Sequence, residues 1–221
     1  MNQLGEEQAF SRATQVMITA GGVQLPGTLT LPGGAKSVVL FAHGSGSSRH
    51  SPRNILVAGV LHASLIGSLL MDLLTPAEDA HYSTRFDIGL LTSRLVSASY
   101  WLETAKPTTK LKIGYFGAST GAAAALQAAA QFGGEIGAVV SRGGRPDLAG
   151  GDALTKVHAP TLLIVGGHDG EVVELNRAAY SLLKYEKQLS IIPGATHLFE
   201  EPGKLEEVAQ QATEWFKKHL D

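Results

Sequence analysis

The sequence contains no cysteine. That absence excludes disulfides, thiolate metal sites, iron–sulfur clusters and a cysteine nucleophile. It is compatible with a reducing cytoplasm, the expected location of the chain. An excess of either charge is also missing: Lys plus Arg is 18, Asp plus Glu is 20, and the formal net charge is -2. With a pI near 6.4, there is no general electrostatic case for nucleic acid or an anionic membrane as a partner. Met1–Glu7 lacks the basic and apolar regions of a secretory signal. Neither an internal repeat nor a low-complexity linker is visible. What remains is a chain of 221 residues, 44% hydrophobic and 17% charged. That composition can bury a large core, and one domain over 1–221 is the expectation.

One apolar run, Ile55 to Leu74, approaches the length of a membrane span. Gly59, His62, Ser64, Gly67, Ser68 and Asp72 interrupt it, so it reads as a buried helix followed by a buried strand. Before it, Thr14–Thr19 and Val23–Leu31 form a hairpin pattern around Gly21-Gly22. The β-branched run Ser37–Ala42 fits a strand buried on both faces and ends in a glycine-rich loop, His43 to Ser48. Ser51-Pro52 opens a helix to about Leu65, and a strand covers Ser68–Leu73. A polar loop at 74–84 precedes a helix over Arg85–Ala105. Strands at Lys112–Phe116, Ile136–Ser141, Thr161–Val165 and Gln188–Ile192 then alternate with helices at Ser119–Phe132, Val172–Tyr185 and Lys204–Leu220. Such alternation predicts an α/β fold: a mostly parallel, doubly wound sheet behind an N-terminal antiparallel hairpin, with no separate cap domain. Sites in such folds lie at the carboxyl ends of the strands.

Gly117-Ala118-Ser119-Thr120-Gly121 reads G-x-S-x-G, the nucleophile-elbow pattern. A serine on a sharp strand-to-helix turn needs glycine two residues either side, where the backbone closes on itself. It also sits at a helix N-terminus, where the dipole favours developing negative charge. Serine needs a base, and in this arrangement the acid and histidine follow it in the chain. Asp169 after the strand Thr161–Val165 and His197 after the strand ending at Ile192 fit that order and that sheet edge. Glu171 and, more weakly, Asp72 are rival acids. Among the eight histidines, His43 reads as a buried loop organiser, His62 as structural, His158 as loop, His168 as pointing away and His219 as solvated. An oxyanion hole needs two backbone N–H groups. Thr120 is the expected first donor. Ser45, between Gly44 and Gly46, is the expected second.

With these residues placed, the chain resembles the α/β-hydrolase superfamily over nearly its whole length, most of all the dienelactone-hydrolase-like branch. Three runs add a finer resemblance: His43–Asn54 (HGSGSSRHSPRN), Ser141–Leu148 (SRGGRPDL) and Pro193–Phe199 (PGATHLF). Together they look like small bacterial hydrolases also found fused to phosphoribosyltransferase domains, with this chain as a stand-alone version. True dienelactone hydrolases use a cysteine nucleophile where this chain has Ser119. That departure moves the expected substrate from dienelactone to a small-molecule ester. A dehalogenase would need a carboxylate at 119. The resemblance implies an acyl-enzyme mechanism: His197 deprotonates Ser119, Asp169 orients His197, and Ser45 and Thr120 hold the oxyanion. It implies no cofactor and no metal; a thioesterase, peptidase or acyltransferase on the same triad, or a non-catalytic binding protein on this fold, are the alternative readings.

With no long insertion around the site, an open pocket suited to small or short-chain esters is expected; a partial cover formed by 74–84 is the competing reading. Arg142 and Arg145 follow a strand at the active edge and are candidates for a substrate carboxylate or phosphate. The competing reading gives them ion pairs with Asp147, Asp79 or Glu78. Arg49, His50 and Arg53 are in the same position, and Tyr82 and Phe199 are candidate pocket walls.

Overall fold

In the computed structural model, residues 12–221 are described, and Met1–Glu7 lies outside them. The chain opens with β1 (Arg12–Ala20) and β2 (Val23–Leu31), paired antiparallel. Their turn places Gly21 at φ 56° and Gly22 at φ 83°, the conformation that a tight hairpin demands of both central residues. β2 pairs antiparallel with β4 (Gly67–Met71). Every later pairing is parallel. β3 (Ser37–Ala42) joins β4 to β5 (Lys112–Ala118), followed by β6 (Ala138–Arg142), β7 (Thr161–Gly166) and β8 (Lys187–Ile192). The eight-stranded order is β1-β2-β4-β3-β5-β6-β7-β8. The α/β class and hairpin read from the sequence are those of the structure. The chain reverses its direction of travel across the sheet at β3, so the loops after β3 and β5 diverge and leave a crevice there.

The crossovers cover both faces. Strand residues alternate between them: Val38, Leu40 and Ala42 join one buried cluster, Val39 and Phe41 the other. The first face is covered by α3 (Ile88–Thr104), α4 (Thr120–Phe132) and α6 (Gly170–Leu182). Alanines 123–125, 128 and 129 of α4 are fully buried there. The second face is covered by α1 (Pro52–Ala63) and α7 (Lys204–Leu220), with Leu61, Trp215 and Phe216 packed on Phe41 and Phe116. A Cβ at Gly114 would lie 2.9 Å from the Phe216 ring and from Leu220, so the bare β5 backbone is what lets α7 seat. The Ile55–Leu74 run divides into α1 and β4, as expected. No helix among the described residues is long and apolar enough to cross a membrane.

Several local readings are corrected. The 74–84 stretch is not plain loop. Thr75 and Glu78 form a reciprocal capping box on α2 (Pro76–Asp79), and a 3-10 turn follows at Tyr82–Phe86. α3 starts at Ile88 rather than Arg85, because Asp87 caps it by accepting from the Leu90 N–H at 2.9 Å. α1 stops at Ala63, and Leu65 turns to φ 60°. Between β6 and β7, a 3-10 turn at Pro146–Ala149 and α5 (Gly151–Lys156) replace an undivided loop. His219 is not solvated: its side chain is 9% exposed and lies 4.5 Å from the Trp215 ring.

His43 follows β3 and organises the crevice. Its Nε2 accepts from the Leu73 N–H at 3.0 Å, and its Nδ1 lies 3.0 Å from the Gly44 carbonyl, to which it donates. The ring thereby ties the loops after β3 and β4 together. Burial pushes its pKa below the usual value of 6.5, because desolvation penalises the imidazolium. A proton on Nε2 would also set two donors, the ring and the Leu73 N–H, against each other. Burial lowers His62 and His219 in the same sense. The unfolded chain therefore binds these protons more readily than the native one, and stability is complete above the unfolded value and declines as pH falls below it. Urea midpoints are expected to drop between about pH 7.5 and pH 5.5. His43→Gln should flatten that dependence, whereas His50→Gln, at an exposed position, should leave it intact. An equal slope in parent and His43→Gln protein would remove His43 from this linkage.

Candidate active site

The elbow is built by close packing of backbone. Ser119 sits between β5 and α4 at φ 51° and ψ -120°, a region that costs a non-glycine residue roughly 1–3 kcal/mol. Three backbone hydrogen bonds hold it there. The Ser119 N–H donates to the Arg142 carbonyl at 3.3 Å, while the Ser119 carbonyl accepts from Ala122 at 3.1 Å and from Arg145 at 3.1 Å. The flanking glycines are obligatory. A Cβ at Gly117 would lie 2.4 Å from Ala122 Cα, and one at Gly121 would lie 2.2 Å from the Ala42 carbonyl oxygen. Gly44 faces Ser119 directly, since its Cβ would come within 3.0 Å of Ser119 Cβ.

The loops after β7 and β8 are clipped together. Gly167 donates to Ile192 at 2.8 Å, and His168 donates to Ala195 at 2.9 Å. Gly166 has no room for a side chain against the Ala195 and Thr196 carbonyls, both 2.5 Å from a Cβ there. This clip brings His197 Nδ1 to 2.6 Å from Asp169 Oδ2. With the carboxylate ionised, Nδ1 carries the hydrogen and donates, leaving Nε2 as the basic nitrogen. The β6–α5 connection joins the two halves. Residues 142 and 145 bond the Ser119 backbone, and a Cβ at Gly143 would lie 3.6 Å from His197 Cε1. Ser119, Asp169 and His197 therefore share one edge of the sheet. Glu171 lies in the first turn of α6, and Asp72 is engaged by Arg49, so Asp169 is the carboxylate that meets His197.

The expected substrate arginines behave differently. Arg145 makes a two-bond pair with Asp147 at 2.9 and 2.7 Å, so the ion-pair reading describes it. Arg49 pairs with Asp72, and Arg53 pairs with Glu200 at 3.2 Å. Arg142 has no carboxylate partner among the described residues. It is 5% exposed, lies over the Phe199 ring at 5.9 Å, and is pushed down to about 10 by burial and then by the nearby Arg53 charge. Phe199 is 1% exposed and held at φ 58°. It is therefore not a pocket wall; with Arg142 it forms a buried platform under the turn that carries His197. Tyr82 is 74% exposed and stacks on Phe86 with centroids 4.9 Å apart. A pocket of about 310 Å³ opens beside the glycine loop, lined by His43, Ser47, Ser48, Arg49, Leu74 and Thr75 among others.

Of the two expected oxyanion donors, Thr120 begins α4, so its N–H belongs to the helix's unpaired first turn. The Ser45 N–H instead donates to Thr120 Oγ1 at 3.0 Å. Sequence reading misses this side-chain contact, because nothing in the spacing of residues 45 and 120 links them; only the approach of β3 to α4 does.

Comparison with known proteins agrees with this architecture. The dienelactone hydrolase family model matches residues 80–221. A crystal structure of a dienelactone hydrolase from Anabaena variabilis ATCC 29413 superposes with a TM-score of 0.92 at 54% identity, covering 96% of this chain and 99% of that one. Est1E from Butyrivibrio proteoclasticus shares the fold, with a TM-score of 0.79 at 17% identity over 92% of this chain and 98% of that one. A Mycobacterium tuberculosis (strain H37Rv) protein provisionally named a phosphoribosyl transferase is 56% identical over 209 residues, 95% of this chain. The match takes in 47% of that protein, so the chain spans about half the length of the curated relatives it matches. By these matches the chain belongs to the dienelactone hydrolase family, within the α/β-hydrolase fold.

Proposed function

We propose that the protein is a serine hydrolase that cleaves small or short-chain carboxylic esters through an acyl-enzyme intermediate. The observation that carries this reading is the 2.6 Å bond between His197 Nδ1 and Asp169 Oδ2, on the sheet edge where Ser119 holds its strained turn. Family membership supports hydrolysis. The residue at the elbow supports an oxygen nucleophile. The name of the mycobacterial relatives belongs to chains about twice the matched length, and the hydrolase family model falls on this portion.

The chemistry follows from the named atoms. His197 Nε2 takes the Ser119 proton as Oγ bonds to the ester carbonyl carbon, and the carbonyl electron pair moves onto oxygen. Asp169 stabilises the imidazolium and holds its tautomer. The tetrahedral species collapses, the C–O bond to the alcohol breaks, and His197 returns the proton to the departing alkoxide. Water, deprotonated by His197, then attacks the acyl-enzyme and restores Ser119. No step requires a cofactor or metal. The β6–β7 connection carries only a 3-10 turn and the six-residue α5, and this lack of a long insertion supports short acyl or alcohol groups. The partial cover formed by α2 and the Tyr82–Phe86 turn does not add a cap domain. The location proposed is the cytoplasm.

The test is hydrolysis of p-nitrophenyl esters from acetyl to palmitoyl, with Ser119→Ala in parallel. Activity on short chains that vanishes in the variant is expected. A preference for palmitate would overturn the short-chain assignment, and equal rates in parent and variant would overturn the serine mechanism. A second prediction separates the two candidate acids, Asp169 and Glu171. Asp169→Asn should lower turnover by roughly 10⁴-fold, since the amide presents the wrong tautomer to His197. Glu171→Gln should remain within about threefold of the parent, because a residue outside the acid role contributes little transition-state stabilisation. Reversed effects would transfer the acid role to Glu171.

A further inference from the structure

The Thr120 side chain has no task in the acyl-enzyme chemistry, yet it takes up the N–H expected to serve as the second oxyanion donor. Its Oγ1 accepts from the Ser45 N–H at 3.0 Å, and the residue is 2% exposed. The expected second oxyanion donor is thus already committed in the free protein, leaving the Thr120 N–H as the other backbone donor. A hydroxyl that accepts one hydrogen bond still has one proton to give. A threonine inside a helix usually gives that proton to the carbonyl three or four residues back. Thr120 is the first residue of α4, and the residues three and four before it, Gly117 and Phe116, belong to β5, so that outlet is missing. Among the described residues no acceptor takes this proton; the oxygen serves only as an acceptor.

We infer that the Thr120 hydroxyl is itself an oxyanion donor, polarised by the Ser45 N–H and acting beside the Thr120 backbone N–H. The inference rests on the serine-hydrolase reading and adds a donor to it. As Ser119 Oγ bonds to the carbonyl carbon, the π pair moves onto the carbonyl oxygen. Thr120 Oγ1–H turns its hydrogen toward that oxygen while keeping the hydrogen bond it receives from Ser45. No proton is transferred to or from Thr120. A chain in which the N–H polarises the O–H strengthens the outer bond. The charge is met by a donor fixed before reaction rather than by water that must reorganise. Ser45 then contributes through Thr120, which accounts for its N–H pointing away from open solvent although the residue itself is exposed.

Thr120→Val tests this, since it keeps the β-branched volume and removes only the hydroxyl. Loss of one oxyanion donor costs on the order of 10²-fold in kcat, so a fall of about that size with KM little changed is expected. Affinity for a trifluoromethyl ketone that forms a tetrahedral adduct with Ser119 should fall in parallel. Thr120→Ser retains the donor and should recover most of the rate. A Thr120→Val rate within about threefold of the parent would overturn the inference. Equal losses in Thr120→Val and Thr120→Ser, or a rise in KM alone, would assign Thr120 to loop packing instead. A fluorophosphonate labelling assay on the parent and Thr120→Val proteins separates the donor role from the hydrolase reading beneath it. A parent that neither labels at Ser119 nor turns over ester removes the hydrolase reading and this donor with it. A parent that does both, beside an equally fast Thr120→Val, removes the donor alone.

Discussion

The site depends on one constraint: the left-handed turn at Ser119. A residue with a side chain is held at φ 51° only because surrounding backbone leaves it no alternative. The strain is offset by the hydrogen bonds from the β6–α5 connection and by the approach of β3 to the first turn of α4. That approach is close enough that Gly121 and the Ala42 carbonyl exclude any Cβ between them. The same packing fixes the loop after β3 against Ser119, so position and strain have a common origin. If the elbow relaxed, β3, α4 and the Arg142–Arg145 segment would lose their register together.

The clip between the loops after β7 and β8 does the corresponding work for the other half. A histidine on a free loop would spend much of its time in rotamers that do not meet the carboxylate. Here Asp169 is fixed by its position ahead of α6, and His197 by the turn resting on Phe199 and Arg142. The Arg142 cation is buried without a carboxylate. Its cost is reduced by the aromatic face beneath it, and part of its ordinary proton affinity is surrendered.

The frame, the turn at Ser119 and the Asp169–His197 pair are legible in the sequence for a physical reason. Strand period, elbow glycines and chain order are local signals, and each is imposed by backbone sterics rather than by distant contacts. Ser119, Asp169 and His197 each follow a β-branched or apolar run, so their common sheet edge follows from those runs alone. The misreadings fall where tertiary contacts decide. Thr75-x-x-Glu78 carries a capping-box signal, but the polar composition of 74–84 masks it as loop. His219 reads as exposed because it lies near the chain end, whereas Trp215 one turn earlier shelters it. Phe199 reads as pocket lining from its place after His197, whereas its positive φ swings it into the core. The Ser45–Thr120 bond spans 75 residues and has no local signature at all.

Four of the arginines around the crevice already have carboxylate partners. Arg49, Arg85, Arg145 and Arg53 are paired with Asp72, Asp79, Asp147 and Glu200 respectively. An anionic substrate group recruiting any of them would have to displace a carboxylate that is already in place, and would gain only the difference between two similar interactions. Partly exposed pairs of this kind contribute modestly to stability, about 0–1 kcal/mol each. Their larger consequence is to hold the loops after β3, β4 and β6 in register and to leave the crevice electrostatically balanced.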